Sequence, residues 1–131
     1  MTQRTAEAMS LLSGEVIGAA IEVHRELGSG LLEACYLECL MAELAHRGIK
    51  VEKEVRLPLK YRDVSIENAY RLDLLVDDEL IVEIKTVEGL LPIHTAQLLT
   101  YLKLAKKKLG LLINFNVEVL RSGVKRVVNG L

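Results

Sequence analysis

The sequence predicts an α/β protein in which a mixed central β-sheet is flanked by α-helices on both faces. Apolar residues recur with helical spacing in three segments and alternate or run continuously in the others. The resulting order is helix, helix, strand, hairpin, helix, strand, strand, which is typical of this class. The 131 residues contain no repeat, linker or low-complexity segment. We therefore expect one domain over residues 1–131, built around a single core.

The first half of the chain predicts two helices and a strand. Residues 6–27 carry an apolar stripe with helical periodicity, and Gly28 suits the positive φ that follows a helix. A second apolar stripe covers about residues 31–47. Val51–Tyr61 alternates between apolar and charged side chains, which predicts a strand with its apolar residues on one face.

The second half predicts the rest of the sheet and a third helix. A turn at Arg62–Ser65 leads to a β-hairpin over Tyr70–Val87, and a helix follows over about residues 93–107. Leu109–Phe115 is continuously apolar, as in a central strand that is covered on both faces. Residues 117–128 predict a last strand pair, or one strand with a short break.

Composition excludes several classes of protein. The formal net charge of −1 gives no overall attraction to nucleic acid, so such binding requires a local patch. No apolar run approaches the ~20 residues that span a membrane, and the N-terminus lacks a signal-peptide pattern. We therefore expect a cytoplasmic protein without a membrane partner. Cys35 and Cys39 are too few for a zinc site when only His46 is nearby, and we expect both to be reduced core residues.

The predicted hairpin contains three charged residues, Asp73, Glu83 and Lys85, among apolar ones. Glu83 and Lys85 share a face because side chains on a strand alternate. If residues 77–79 form the loop, Asp73 lies directly opposite Glu83, with Cβ atoms about 4.5–5.5 Å apart. Two such carboxylates repel each other unless a cation lies between them, and their oxygens favour Mg²⁺, Mn²⁺ or Ca²⁺. A cross-strand ion pair on a solvated face would produce the same pattern, although buried strands rarely carry charges for that purpose.

One short motif and several longer segments resemble a known family. Gly30–Tyr36 matches the pattern G-x-x-E-x-x-Y that names the GxxExxY protein family. The likeness runs from about Val16 to Gly130 and includes GAAIEVHRELGSGLLE, RLDLLVDDELIVEIKTV, HTAQLLTYL, GLLINF and GVKRVVNG. That family resembles a compact branch of the PD-(D/E)XK nuclease superfamily. The resemblance implies a single-domain restriction-endonuclease-like fold.

The resemblance also implies which residues form the site. Asp73 matches the motif Asp of the superfamily, and Glu83–Lys85 matches its (D/E)-x-K, although Leu72 stands where the pattern has Pro. Glu33 matches an acidic residue that the preceding helix contributes. Gln97–Tyr101 resembles the Q-x-x-x-Y element of the exonuclease branch. For Glu33, the alternative is a carboxylate that only complements the positive end of a helix dipole.

The chemistry implied is Mg²⁺- or Mn²⁺-dependent hydrolysis of phosphodiester bonds in DNA or RNA. The implied metal ligands are Asp73, Glu83, the carbonyl of Ile84 and Glu33. Lys85 would position the attacking water and stabilise developing charge, while Gln97 would orient Lys85 or contact a phosphate. Three further candidate site residues lie in the matching segments: Tyr36, His94 and Tyr101.

Basic residues late in the chain are candidates to follow a nucleic-acid backbone, since phosphate contacts dominate affinity. They are Lys103, Lys106, Lys107, Arg121, Lys125 and Arg126. Two alternatives stay open, namely a catalytically silent nucleic-acid-binding or assembly module, and a structural subunit whose charges form an ion-pair network. A homodimer would give so small a nuclease domain a longer binding face.

Overall fold

The structure is a computed structural model that describes residues 4–130, and it contains one five-stranded sheet with helices on both faces. The helices are α1 (Ala6–Leu27), α2 (Glu33–His46) and α3 (Pro92–Ala105). The strands are β1 (Val51–Tyr61), β2 (Val64–Val76), β3 (Leu80–Lys85), β4 (Leu109–Asn114) and β5 (Val124–Val128). A short 3₁₀ helix, Leu120–Gly123, precedes β5.

The sheet has the strand order β1-β2-β3-β4-β5, and only the β3–β4 pair is parallel. The core consists of two clusters on opposite faces. One joins α1 and α2 to side chains such as Leu74 and Ile84, and the other joins α3 to side chains such as Ile81 and Leu112. The predicted mixed sheet between helices is confirmed. No helix within residues 4–130 is long and apolar enough to cross a membrane.

Several predicted boundaries are confirmed and others are wrong by a few residues. The bounds of α1 and β1 agree with the predictions, whereas α2 starts at Glu33 because Leu32 keeps an extended backbone, with φ −67° and ψ 147°. The predicted four-residue turn is only Arg62 and Asp63, since Arg62 takes a φ of 50° and β2 starts at once. The last segment forms the 3₁₀ helix and a single strand.

Two predictions of side-chain position are also wrong, one for the apolar residues of β1 and one for Cys35. Val51 packs in the α1–α2 cluster, whereas Val55 packs in the α3 cluster, so the apolar residues of β1 do not share one face. The reason is Glu54, whose φ of 55° reverses the alternation, and the β1–β2 register skips Glu54 and Asp73. Cys35 is exposed rather than in the core, because α2 turns that side to solvent, and both cysteines are free.

Beyond this irregularity, β1 and β2 continue as a two-stranded ribbon. The β2–β3 pairs begin only at Leu74, whereas the β1–β2 pairs extend to Tyr61 and Val64. Residues 55–72, which we call the ribbon, therefore run past the edge of β3. The other strands end within six residues.

Candidate active site

The central feature of the site is an opening in the β2–β3 ladder. The pairs Val76–Leu80, Leu75–Ile81 and Leu74–Val82 confirm the three-residue loop, and the ladder stops there. At the next position, the backbone N–H of Asp73 donates to Oε2 of Glu83 at 2.7 Å. The backbone N–H of Ile84 donates to Oδ2 of Asp73 at 2.8 Å. The carboxylate of Asp73 thus takes the place that a β2 backbone carbonyl would have opposite Ile84 in a continued ladder, and the carboxylate of Glu83 accepts from the N–H of Asp73.

Burial makes it unfavourable for both carboxylates of this pair to be ionised at the same time. Glu83 is only 5% exposed, and Asp73 is half-buried. The pKa of Glu83 is raised to about 8, chiefly by burial and then by the charge of Asp73, while the N–H of Asp73 and the charge of Lys85 oppose the rise. Burial also raises the pKa of Asp73, against the hydrogen bond from Ile84. The pair therefore favours either a shared proton or a bound cation.

The donor set fits a hard divalent cation. Because Asp73 and Glu83 each use one oxygen for a backbone N–H, the other oxygen of each carboxylate remains available. The N–H of Ile84 points towards β2, and a residue in an extended strand directs its C=O to the same side. Mg²⁺ is commonly bound by one or two carboxylates together with waters and substrate phosphates, which agrees with this set.

Glu33 lies close to the pair without joining it. It is exposed at the first position of α2, and its charge raises the pKa of both Asp73 and Glu83. Within residues 4–130, no three acidic, histidine or cysteine side chains are close enough to hold one metal together. The structure therefore places the carboxylates of Asp73 and Glu83 side by side, and Glu33 remains outside this pair.

The Gly-x-x-Glu-x-x-Tyr spacing has a physical explanation in the loop before α2. Tyr36 is fully buried and stacks on Phe115, with ring centroids 4.4 Å apart. Its hydroxyl donates to the carbonyl of Gly28 and accepts from the N–H of Leu31 at 3.3 Å. One helical turn after Glu33, this side chain ties down the loop that sets where the helix begins. Tyr36 is therefore a positioning residue for Glu33.

Lys85 ends β3 beside the pair, and a buried amide holds the chain that follows. Lys85 is half-buried, and its charge lowers the pKa of both Asp73 and Glu83. The backbone of Val87 donates to Oδ1 of Asn114 at 3.1 Å and accepts from its Nδ2 at 2.9 Å. Asn114 is 1% exposed and was missed from the sequence, where it is one polar residue at the end of an apolar run. A lone amide at that position is the only signal that could have revealed it.

The three candidate residues of α3, which are His94, Gln97 and Tyr101, differ in burial and in their contacts. Tyr101 is buried, and burial and then the charges of Glu83 and Asp73 raise its pKa, so its hydroxyl faces the site. Gln97 lies one turn earlier and is exposed. Nδ1 of His94 accepts from the N–H of Leu91 at 3.0 Å, which makes His94 a cap for the start of α3.

The candidate basic residues are divided between the two ends of the sheet. Lys125 is paired with Leu112, and Leu112 is paired with Glu83, so Lys125 is level with the site. Lys107 instead lies at the end with the β2–β3 turn, where its Nζ is 4.0 Å from Asp78. Lys106 ends α3 next to it. The remaining three, which are exposed on α3, the 3₁₀ helix and β5, are Lys103, Arg121 and Arg126.

Comparison with known proteins identifies the family. No curated protein matches the chain. The crystal structure of SSO0001 is similar, with a TM-score of 0.55 and 16% identity over 92% of this chain and 79% of that one, which shows a shared fold. A family model described as PD-(D/E)XK nuclease superfamily matches residues 10–127, and nucleases of that superfamily generally use divalent metals. The chain belongs to the PD-(D/E)XK nuclease superfamily.

Proposed function

We propose that this protein is a divalent-metal-dependent nuclease of the GxxExxY branch, acting through one domain that spans residues 1–131. The observation that carries the proposal is the pair of hydrogen-bonded carboxylates, Asp73 and Glu83, at the opened ladder. A buried acidic pair with Lys85 beside it, in a chain of this superfamily, is the arrangement that metal-assisted phosphodiester hydrolysis requires.

In this proposal, Mg²⁺ or Mn²⁺ is held by the free oxygens of Asp73 and Glu83 and by the carbonyl of Ile84. The exposed carboxylate of Glu33, which lies outside the pair, completes the shell through a bound water. When bound, such a cation acidifies a water molecule and neutralises charge on the scissile phosphate. The two backbone N–H groups keep both carboxylates in place whether or not the cation is bound.

In this proposal, Lys85 interacts first with the carboxylates and, once a cation is bound, with the attacking water and the phosphate. Without a cation, its ammonium group offsets the charge of the carboxylates, whose pKa values it lowers. Once a cation neutralises them, the ammonium group is available to hold the attacking water and to donate to the phosphate as negative charge develops. Gln97, exposed on the same side of α3 as Tyr101, contacts a phosphate or orients Lys85.

The basic residues of α3, the 3₁₀ helix and β5 are proposed to follow the backbone of DNA or RNA on either side of the site. Lys125 is level with Glu83 and contacts phosphates nearest the scissile bond, whereas Lys106 and Lys107 reach only more distant ones. A homodimer would place two such surfaces along one substrate. Sedimentation with and without nucleic acid tests whether the protein forms this homodimer.

The deciding experiment is cleavage of single- and double-stranded DNA and RNA in Mg²⁺, Mn²⁺ or EDTA. Glu83→Gln is the matched variant, since it keeps the shape and an acceptor for the N–H of Asp73. We expect metal-dependent cleavage by the wild type and loss of at least about 10²-fold in the variant. Binding without cleavage in every metal would support a catalytically silent binding module. Absence of both metal and nucleic-acid binding would leave only a structural subunit.

A further inference from the structure

We infer that the outward face of the β1–β2 ribbon is a second nucleic-acid contact, which binds phosphates about two to six base pairs from the scissile bond. This inference rests on the proposed nuclease function and extends it to the length of substrate that is held. The residues are Arg56, Lys60 and Arg71, none of which belongs to the basic set that the sequence suggested. The ribbon brings them together.

The ribbon has one apolar face and one cationic face. Leu57 is buried against the α3 cluster and is paired with Tyr70, whose ring centroid lies 5.5 Å from that of Tyr101. The adjacent pair, Arg56 with Arg71, must point to the opposite side because side chains alternate. The β1–β2 register shifts between Leu57 and Leu59, but the burial of β1 continues to alternate through this point, so Lys60 is exposed on the same side as Arg56. The side of the ribbon turned away from α3 therefore carries three cations.

The pairing of Arg56 with Arg71 is unfavourable in the free protein. Like charges directly opposite each other on neighbouring strands are destabilising. Only Arg71 is compensated, by an ion pair of 2.8 Å with Glu54. Among the described residues, no carboxylate lies within ion-pair distance of Arg56 or Lys60. An anionic ligand would remove this repulsion, and a phosphate between two guanidinium groups is the favourable case.

The cationic face is connected to the active site by the strands themselves. Arg71 is two residues from Asp73, and its charge lowers the pKa of that carboxyl. Glu54 stands opposite Asp73, between the pairs Lys53–Leu74 and Val55–Leu72. Lys60 is six residues further along β1, which is about 20 Å of strand. Phosphates of one duplex strand advance about 3.4 Å each, so Lys60 reaches about the sixth phosphate from the site.

The test is the salt dependence of binding to a labelled 20-base-pair duplex, measured by fluorescence anisotropy in a Glu83→Gln background so that no cleavage occurs. Arg56→Gln with Lys60→Gln removes the two uncompensated cations and leaves Arg71 with Glu54. Two lost phosphate contacts should reduce the slope of log affinity against log salt by about 1.8. A fourfold rise in salt should then weaken the parent about 12-fold more than the variant.

The control variant is Lys50→Gln with Lys108→Gln, which removes the same charge at the end of the sheet that holds the β2–β3 turn. There the N–H of Asp77 donates to the carbonyl of Lys50, and Lys108 precedes β4. We expect the control to keep the slope of the parent. On duplexes that extend fewer than about six base pairs to one side of the cut, the ribbon variant should keep only the part of its defect that the loss of Arg56 causes.

Three results count against the inference, and they are distinguishable. Equal slopes for the ribbon and control variants would show that the ribbon holds no phosphate, while nucleic-acid binding by the parent would leave the nuclease proposal intact. A parent protein that binds no duplex at all would refute the ribbon contact, and the cleavage assay on single- and double-stranded DNA and RNA would then decide the proposed function separately. A ribbon defect that is independent of duplex length would refute the six-base-pair distance.

Discussion

Replacing Glu83 by Gln should change how the stability of the metal-free protein depends on pH. The pKa of Glu83 is about 8 in the folded state, against an ordinary value of 4.5. A carboxyl whose pKa is raised by folding contributes stability fully below pH 4.5, and that stability is lost as the pH rises towards 8. At about 1.4 kcal/mol per pKa unit, the step from pH 5 to pH 7 removes about 2–3 kcal/mol from the free energy of unfolding. The variant has no such group to titrate.

The assay is chemical denaturation of both proteins in EDTA at pH 5, 6, 7 and 8. The wild type should lose stability across this range by about 3–4 kcal/mol more than Glu83→Gln, equivalent to roughly 13 °C in melting temperature. Saturating Mg²⁺ should restore the wild type at pH 8, because the cation replaces the proton between the carboxylates, and should leave the variant nearly unchanged.

Two outcomes would refute this reasoning. Parallel loss of stability in the two proteins would show that Glu83 is already ionised in the folded state at pH 5. A variant that is less stable than the wild type by about 3–5 kcal/mol at pH 7 would show that Glu83 serves a buried ion pair with Lys85, as in a structural network.

Three other substitutions test the remaining parts of the site. Lys85→Ala should slow single-turnover cleavage at saturating Mg²⁺ by about 10²–10³-fold while calorimetry shows metal affinity retained; near wild-type turnover would rule out the role assigned. Tyr36→Phe removes the hydroxyl that bonds Gly28 and Leu31, and should reduce stability by about 1–2 kcal/mol in thermal melts; an unchanged melt would show that the loop is held otherwise. Gly123→Ala places a Cβ 2.2 Å from the carbonyl oxygen of Asn114, so we expect a loss of at least about 1–3 kcal/mol, or no folded protein on expression.

Most of the fold follows from periodicity in the sequence. The helical repeat defined α1 to its last residue, and the polar break at residues 77–79 fixed the register of the hairpin. That register alone places Asp73 opposite Glu83. Local pattern succeeds here because the inward-facing apolar residues of each element are packed against a helix or another strand.

The parts that could not be predicted depend on backbone geometry or on contacts distant in sequence. Nothing in the sequence marks Glu54 for a positive φ, since that conformation usually selects Gly or Asn. The change of face at Glu54 hid the cationic side of the ribbon. Asn114 and Val87 are 27 residues apart, and their hydrogen bonds arise only when β4 lies beside β3.

The opened ladder explains how one arrangement serves both folding and chemistry. A continued β2–β3 ladder would satisfy the N–H group of Ile84 with a backbone carbonyl and would leave the carboxylate of Asp73 without this hydrogen bond. Here the carboxylates satisfy the N–H groups of Asp73 and Ile84 themselves, so the same two hydrogen bonds complete the strand and fix the free oxygens for a cation. The arrangement destabilises the metal-free protein because Glu83 is held in a buried position where its charge is unfavourable. A variant that is more stable at neutral pH and inactive is therefore the expected result of neutralising Glu83, as is general where sites are strained for function.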